Sequence, residues 1–333
     1  MRIAINGFGR IGRLVLRQLL ARDCFEIVAI NDLQSLQQLS YFFQFDSVHG
    51  RANHLVQIDD NALVIDGKKI EVFSQSDPGK LPWKALDIDY VVEASGRFKT
   101  SEQASFHINA GAKRVVVTAP SPDLPTYVMG VNENNYSSQK DKAVSNGSCT
   151  TNCLAPIAKL LDSHYGIKEG LMTTIHAATA SQNVVDSANQ KDMRLSRSIL
   201  GNIIPASTGA ATAVARCLPS LEGKLTGMAF RVPVADVSVV DLTCRLKTAV
   251  SYSDLCKVIH DASKNSLKGI LQYCDQPVVS SDFVGSTYSS IFDSLAGISL
   301  SDQFFKLIMW YDNEMGYSAR VVDLIIHMDQ VEN

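Results

Sequence analysis

Gly7-Phe8-Gly9-Arg10-Ile11-Gly12 is the segment that most narrows what this chain can fold into. It follows a short apolar run, residues 3–6, and opens a stretch with Ile11, Val15, Leu19 and Leu20 on one side at helical spacing. In that setting Gly7 permits a tight turn, Gly9 lets the backbone approach a pyrophosphate, and Gly12 lets the helix pack closely on the strand. The start of such a helix offers free N–H groups and partial positive charge to phosphates. Residues 25–31 read as a second buried strand, and Asp32 ends it, where a carboxylate can accept bonds from ribose hydroxyls. The same carboxylate repels a 2′-phosphate, which favours NAD over NADP. Taken alone, the glycines also fit a turn that merely packs a helix closely. The strand before, the helix after and Asp32 behind favour the dinucleotide.

Further apolar strands recur at residues 90–94 and 115–118, with a helical stretch at 101–110 between them. Strands alternating with helices imply a parallel sheet covered on both faces. The second half has a different texture. Ser238, Val240, Leu242, Cys244 and Leu246 make one face of a strand nearly all apolar, while Val237, Val239, Asp241, Thr243 and Arg245 make the other mixed. That pattern predicts a mostly antiparallel sheet with one covered face. Residues 251–254 form a capping box before a helix with Leu255, Val258, Ile259 and Ala262 inward, and residues 319–328 form a last apolar helix. The expected fold class is therefore α/β: an N-terminal Rossmann-type dinucleotide-binding domain plus an α+β catalytic domain with a mostly antiparallel sheet. Residues 177–202 read as a long, polar loop, and loops of that length are usually functional.

Cys149 opens a third kind of signal. Residues 154–161 read as a helix, which places Cys149 at its first turn, where the helix dipole and unpaired N–H groups stabilise a thiolate and lower its pKa. Cys153, one turn on, reads as a small buried hydrophobe. His176 ends the strand-like run 171–175 and is the expected partner base. Ser148, Thr150, Thr179, Ser207-Thr208-Gly209 and Arg231 supply hydroxyls, a helix start and a guanidinium, the groups that hold phosphate. No histidine or cysteine spacing suggests a metal site, so none is expected.

Composition limits the alternatives. A net charge of −3 leaves no electrostatic footprint for nucleic acid or an anionic membrane, and neither partner is expected. No apolar run reaches the roughly 18 residues that span a bilayer. The first residues enter a core strand directly, without the pattern of a signal peptide. Seven scattered cysteines, an odd number, point to reduced thiols and a cytoplasmic location.

At residues 148–153, Ser-Cys-Thr-Thr-Asn-Cys, the sequence resembles the glyceraldehyde-3-phosphate dehydrogenase family, and the resemblance runs from end to end. Its other carriers are INGFGRIGR, TTIHAATA, NIIPASTGAA, GMAFRVP and WYDNEMGYS, in the family's order. The resemblance implies an NAD-binding domain at 1–148 completed by the C-terminal helix 314–333, a catalytic domain at 149–313, and a homotetramer. It implies oxidation of D-glyceraldehyde 3-phosphate through a Cys149 thiohemiacetal and thioester, with His176 as base and inorganic phosphate cleaving the thioester. Thr179 and Arg231 would hold the substrate phosphate, and Ser148, Thr150, Thr208 and Gly209 the attacking phosphate. Gly7, Gly9, Arg10, Ile11, Gly12, Asp32, Ser76, Thr118, Asn313 and Tyr317 fall at cofactor positions, Asn313 at the nicotinamide carboxamide. Ser76 stands where arginine or lysine is usual, and Gly147 where alanine is. In the segment 186–197, Ser187, Ala188, Leu195 and Ser196 replace the usual glycines and proline, so a different loop path is expected. Two other readings stay open: an erythrose-4-phosphate dehydrogenase, which shares the nucleophile motif, and a binding protein that kept the fold.

Overall fold

The computed structural model describes residues 1–22, 24–189 and 192–332. The chain divides into two compact units. The first comprises Met1–Tyr127, Glu133–Gly147 and Ser318–Asn333, and the second Val128–Asn132 and Ser148–Tyr317.

In the first unit the chain runs β1 (Arg2–Asn6), α1 (Arg10–Leu20), β2 (Glu26–Asn31), α2 (Leu36–Gln44), β3 (Val56–Asp59), β4 (Ala62–Ile65), β5 (Lys68–Phe73), β6 (Tyr90–Glu93), α3 (Ser101–Asn109), β7 (Arg114–Val117) and β8 (Ala143–Ser145). These strands form one sheet in the order β3-β4-β5-β2-β1-β6-β7-β8. From β5 to β8 every neighbouring pair is parallel, as the strand–helix alternation predicts, and β3 and β4 add an antiparallel edge. The helix face differs in detail from the spacing. Gly12, Leu14, Val15, Leu16 and Leu19 are buried, whereas Ile11 and Leu20 are only half-buried. Ile11 sits in the first turn of α1.

The second unit contains α4 (Cys149–Tyr165), β9 (Ile167–His176), β10 (Ile204–Ser207), α5 (Ala210–Cys217), β11 (Leu225–Arg231), β12 (Ser238–Leu246), α6 (Tyr252–Lys264), β13 (Leu271–Cys274), β14 (Ser290–Ser301) and β15 (Phe304–Tyr311). Its sheet has the order β10-β11-β9-β12-β15-β14-β13. Four neighbouring pairs are antiparallel and two parallel. The apolar face of β12 packs with α4, α5 and α6 in one core, and the opposite face leaves Leu171, Leu295, Ile298 and Leu300 exposed. Helix α7 (Met315–Glu332) ends the described chain, and the expected last position, Asn333, lies outside the described residues. Its Val321, Val322, Leu324, Ile325 and Met328 are fully buried in the first unit, where Arg22 pairs with Asp323 and Arg114 with Glu332.

The glycine loop shows why its three glycines are not equivalent. Gly7 has φ +92°, and a Cβ there would lie 2.4 Å from the Ser95 main chain. A Cβ on Gly12 would lie 2.1 Å from the Gly7 carbonyl oxygen, a main-chain atom that cannot swing aside. A Cβ on Gly9 would meet nothing within 4 Å. The fold therefore requires Gly7 and Gly12, whereas Gly9 keeps open a space that the protein itself does not fill. Gly12→Ala should lower stability by on the order of 1–3 kcal/mol in urea unfolding. Gly9→Ala should stay within about 1 kcal/mol of the parent.

Candidate functional site

The carboxyl ends of β1, β2 and β6 and the start of α1 surround a cleft of about 280 Å³, lined by Gly7, Gly9, Asn31, Asp32, Ser76 and Ser95 among others. Asp32 faces it with both oxygens engaged: Oδ2 accepts from the Phe8 N–H at 2.6 Å and Oδ1 from the Gln34 N–H at 2.9 Å. No side chain caps α1, whose N-cap is Gly9, and a helix start of this kind suits an anion. The donor set and the gap before Gly9 suit a dinucleotide. Arg10 pairs with Asp46, and Thr118 is tied to the Glu93 carbonyl by its hydroxyl at 3.1 Å.

Beneath this cleft lies a buried polar chain that sequence pattern did not single out. Trp83 Nε1 donates to His107 Nδ1 at 3.0 Å, so the His107 proton sits on Nε2 and is donated to Glu93 Oε2, also at 3.0 Å. Glu93 further accepts from Asn6 Nδ2 at 2.5 Å and from the Ser95 N–H at 2.8 Å. Asn31 Nδ2 donates to Asn6 Oδ1 at 2.7 Å. The ends of β1, β2 and β6 are thus tied together directly under the glycine loop.

In the second unit, Cys149 is the first residue of α4. Ser148 caps the helix by accepting from the Thr151 N–H at 3.0 Å. Cys149 Sγ lies 3.5 Å from His176 Nε2, and His176 ends β9. On the other side of the ring, Nδ1 is 2.8 Å from the Ala177 carbonyl and 2.6 Å from Arg231 Nη1. Arg231 can only donate and the Ala177 carbonyl can only accept, so the two Nδ1 contacts belong to different tautomers; in the one that gives Nδ1–H to Ala177, Nε2 presents its lone pair to the sulfur. Burial, then the Arg231 charge, lowers the imidazole pKa to about 4, so the ring is neutral at physiological pH. Burial also pushes the Cys149 thiol up, while Thr150, the Arg231 charge and the helix-start N–H groups pull the other way. The thiolate expected from the helix start alone is therefore opposed by desolvation. Cys153 is fully buried against Ser290 and the Met309 carbonyl, which fits a packing role.

The Thr150 hydroxyl does not face outward. It bonds the Tyr311 hydroxyl at 2.9 Å, and the Tyr311 hydroxyl also bonds Thr174 at 2.9 Å. Tyr311 was legible only as the inward end of an alternating strand, since β15 is buried at every second residue. Thr179 uses its hydroxyl on Ser181 and Gln182, and Thr208 accepts the Ala210 N–H beside Gly209, the N-cap of α5. Asn313 and Tyr317 are buried near the end of this unit. In the segment 186–197, residues 190 and 191 lie outside the described residues. Around them Arg197 pairs with Asp186 at 2.9 Å and the Ser187 N–H donates to the Ser196 carbonyl. None of the described residues there has positive φ, so the path is one that residues with a Cβ adopt readily.

Because an elevated thiol pKa lowers the reactive fraction at neutral pH, removal of the acceptor ring has a defined sign. His176→Asn should move the pH profile of Cys149 alkylation by iodoacetamide to higher pH. It should also slow the reaction at pH 7 by about tenfold or more, as expected for loss of a positioned base.

Residues 1–101 match the family model described as glyceraldehyde 3-phosphate dehydrogenase, NAD binding domain, and residues 148–313 match that family's C-terminal domain model. The chain is 58% identical over 332 residues to glyceraldehyde-3-phosphate dehydrogenase of Chlamydia pneumoniae, covering 99% of each chain. It is 57% identical over 326 residues to glyceraldehyde-3-phosphate dehydrogenase 3 of Kluyveromyces marxianus, covering 98% of each. It is 55% identical over 329 residues to glyceraldehyde-3-phosphate dehydrogenase 2 of Saccharomyces cerevisiae, covering 98% of this chain and 99% of that one.

Proposed function

This chain belongs to the glyceraldehyde-3-phosphate dehydrogenase family, and we propose that it oxidises D-glyceraldehyde 3-phosphate to 1,3-bisphosphoglycerate with NAD and inorganic phosphate. The observation that carries the reading is the Cys149 sulfur 3.5 Å from His176 Nε2, at the start of a helix.

The chemistry follows from these groups. Cys149 Sγ attacks the aldehyde carbon, and its proton passes through His176 Nε2 to the new oxygen, giving a thiohemiacetal. The Cys149 main-chain N–H, at the helix start, stabilises the negative charge while it is on that oxygen. His176 then withdraws the hydroxyl proton as the carbon is oxidised to the thioester. Bound NAD supplies the acceptor for the hydride. A phosphate oxygen next attacks the thioester carbon, the C–S bond breaks, and the acyl phosphate leaves with Cys149 restored. Arg231 and Thr179 hold the substrate phosphate. Ser148, Thr150, Thr208 and Gly209 receive the attacking phosphate. Asp32, with Gly7, Gly9 and Gly12, holds the cofactor and disfavours a 2′-phosphate. Asn313 would hold the nicotinamide carboxamide, with Tyr317 beside it.

Residues 1–148 with the last helix form the NAD-binding domain in this reading, and 149–313 the catalytic domain. A homotetramer would cover the exposed Leu171, Leu295, Ile298 and Leu300. A cytoplasmic location suits seven free thiols. Among the described residues, no helix is long and apolar enough to cross a membrane.

The test is NADH formation at 340 nm with the triose phosphate and NAD, with and without phosphate or arsenate. Parallel assays use erythrose 4-phosphate and NADP, and light scattering reads the mass of the assembly. Phosphate-dependent reduction of NAD by the triose is expected. Cys149→Ser should lose at least about a thousandfold in turnover while still binding NAD. Turnover confined to the tetrose, or in which water replaces phosphate, would move the assignment to the erythrose-4-phosphate enzyme.

A further inference from the structure

Ser238 is the first residue of β12, the central strand between β9 and β15. Beyond the last ladder pairs, β9 continues into Ala177 and β15 into Asn313. The Ser238 side chain spans both continuations. Its Oγ accepts the Ala177 N–H at 3.0 Å and lies 2.6 Å from Asn313 Oδ1. All three residues are buried.

The direction of these bonds is fixed by chemistry. The Ala177 N–H is a main-chain group and can only donate. Ser238 therefore accepts there and has its own proton left to give, and a buried hydroxyl proton requires an acceptor. Asn313 must then turn its oxygen, not its nitrogen, toward Ser238. The 2.6 Å separation agrees, being the length of an O–H···O bond rather than an N–H···O bond. With Oδ1 held toward Ser238, the orientation of the Asn313 amide is fixed and Nδ2 is turned away from that contact. An asparagine without this contact could flip and present either a donor or an acceptor. The residue before Ser238 adds a second observation. Val237 has φ +64° and is buried, a left-handed conformation that β-branched residues rarely adopt. The turn that delivers Ser238 to this place is held against local preference.

We propose that Ser238 is a positioning residue for the cofactor's amide group: it locks the Asn313 side chain with Nδ2 outward, as a donor to the carboxamide oxygen of the nicotinamide. This rests on the reading in which Asn313 meets that carboxamide. Ser238 touches no reacting atom and acts only through Asn313.

The experiment compares the affinity of the full chain for NAD and for ADP-ribose, which has no nicotinamide, by titration calorimetry. The variants are Ser238→Ala, Asn313→Ala and the two combined. Ser238→Cys, similar in size but a weak donor, carries the same comparison if the alanine variant does not fold. Ser238→Ala should bind NAD about tenfold more weakly, the weight of one hydrogen bond. Its affinity for ADP-ribose should be unchanged, and the double variant should bind NAD no more weakly than Asn313→Ala alone. Unchanged NAD affinity, equal losses for both ligands, or losses that add in the double variant would overturn the proposal. Wild-type protein that binds neither ligand would instead overturn the reading it rests on, and the proposal with it.

Discussion

The hydroxyl of Tyr311 is the point from which the geometry of the catalytic unit is set. Cys149 stands on a helix and His176 on a strand, and no main-chain hydrogen bond joins α4 to β9. Their spacing depends on side-chain packing, which has little directional preference of its own. Tyr311 adds direction, since one hydroxyl touches Thr150, the neighbour of Cys149, and Thr174, two residues before His176. The site lies deep enough to push the Tyr311 hydroxyl well above its ordinary pKa, so it remains a neutral donor and acceptor. The helix cannot slide along the sheet without breaking one of these buried bonds.

The same economy appears under the dinucleotide cleft. Glu93 collects donors from β1, from the loop after β6 and from α3, and His107 is held in one tautomer by Trp83. A buried carboxylate of this kind is tolerated because nearly all its acceptor capacity is used. It gives the glycine loop a floor that does not depend on the loop's own weakly determined backbone. In the second unit, Asp236 shows the opposite solution. Burial, and then the neighbouring Asp312, push its carboxyl well above the usual carboxylate range, toward the protonated form.

Much of this was legible in sequence, for reasons that differ by element. The parallel core and β12 announced themselves because burial on both faces, or on one, writes a plain apolar pattern. Cys149 and His176 were found because a reactive side chain at an element end is conspicuous. The hairpins of β3, β4 and β5 were not read, since Gln57, Ile58, Asp59, Lys68 and Lys69 are exposed and blur the alternation. A turn signal was nonetheless there in Asp66-Gly67, both at positive φ between β4 and β5. Helix α2 was missed although Ser35 and Gln38 form a capping box. Ser238 and Tyr311 could be placed inward by pattern, but not paired with Asn313, Thr150 or Thr174. Those partners lie between 75 and 161 residues away along the chain.

Helix α7 leaves a consequence for the way this protein is made. The first unit contains the opening residues of the chain and also its closing helix, whose inward face is fully buried there. During synthesis, the segment carrying the glycine loop emerges before the second unit yet lacks one wall of its core until residues 318–332 have left the ribosome. The second unit has its whole sequence available earlier. Of these two units, the one whose synthesis starts earlier is the one completed later, so its apolar surface stays unsealed while the other is being made.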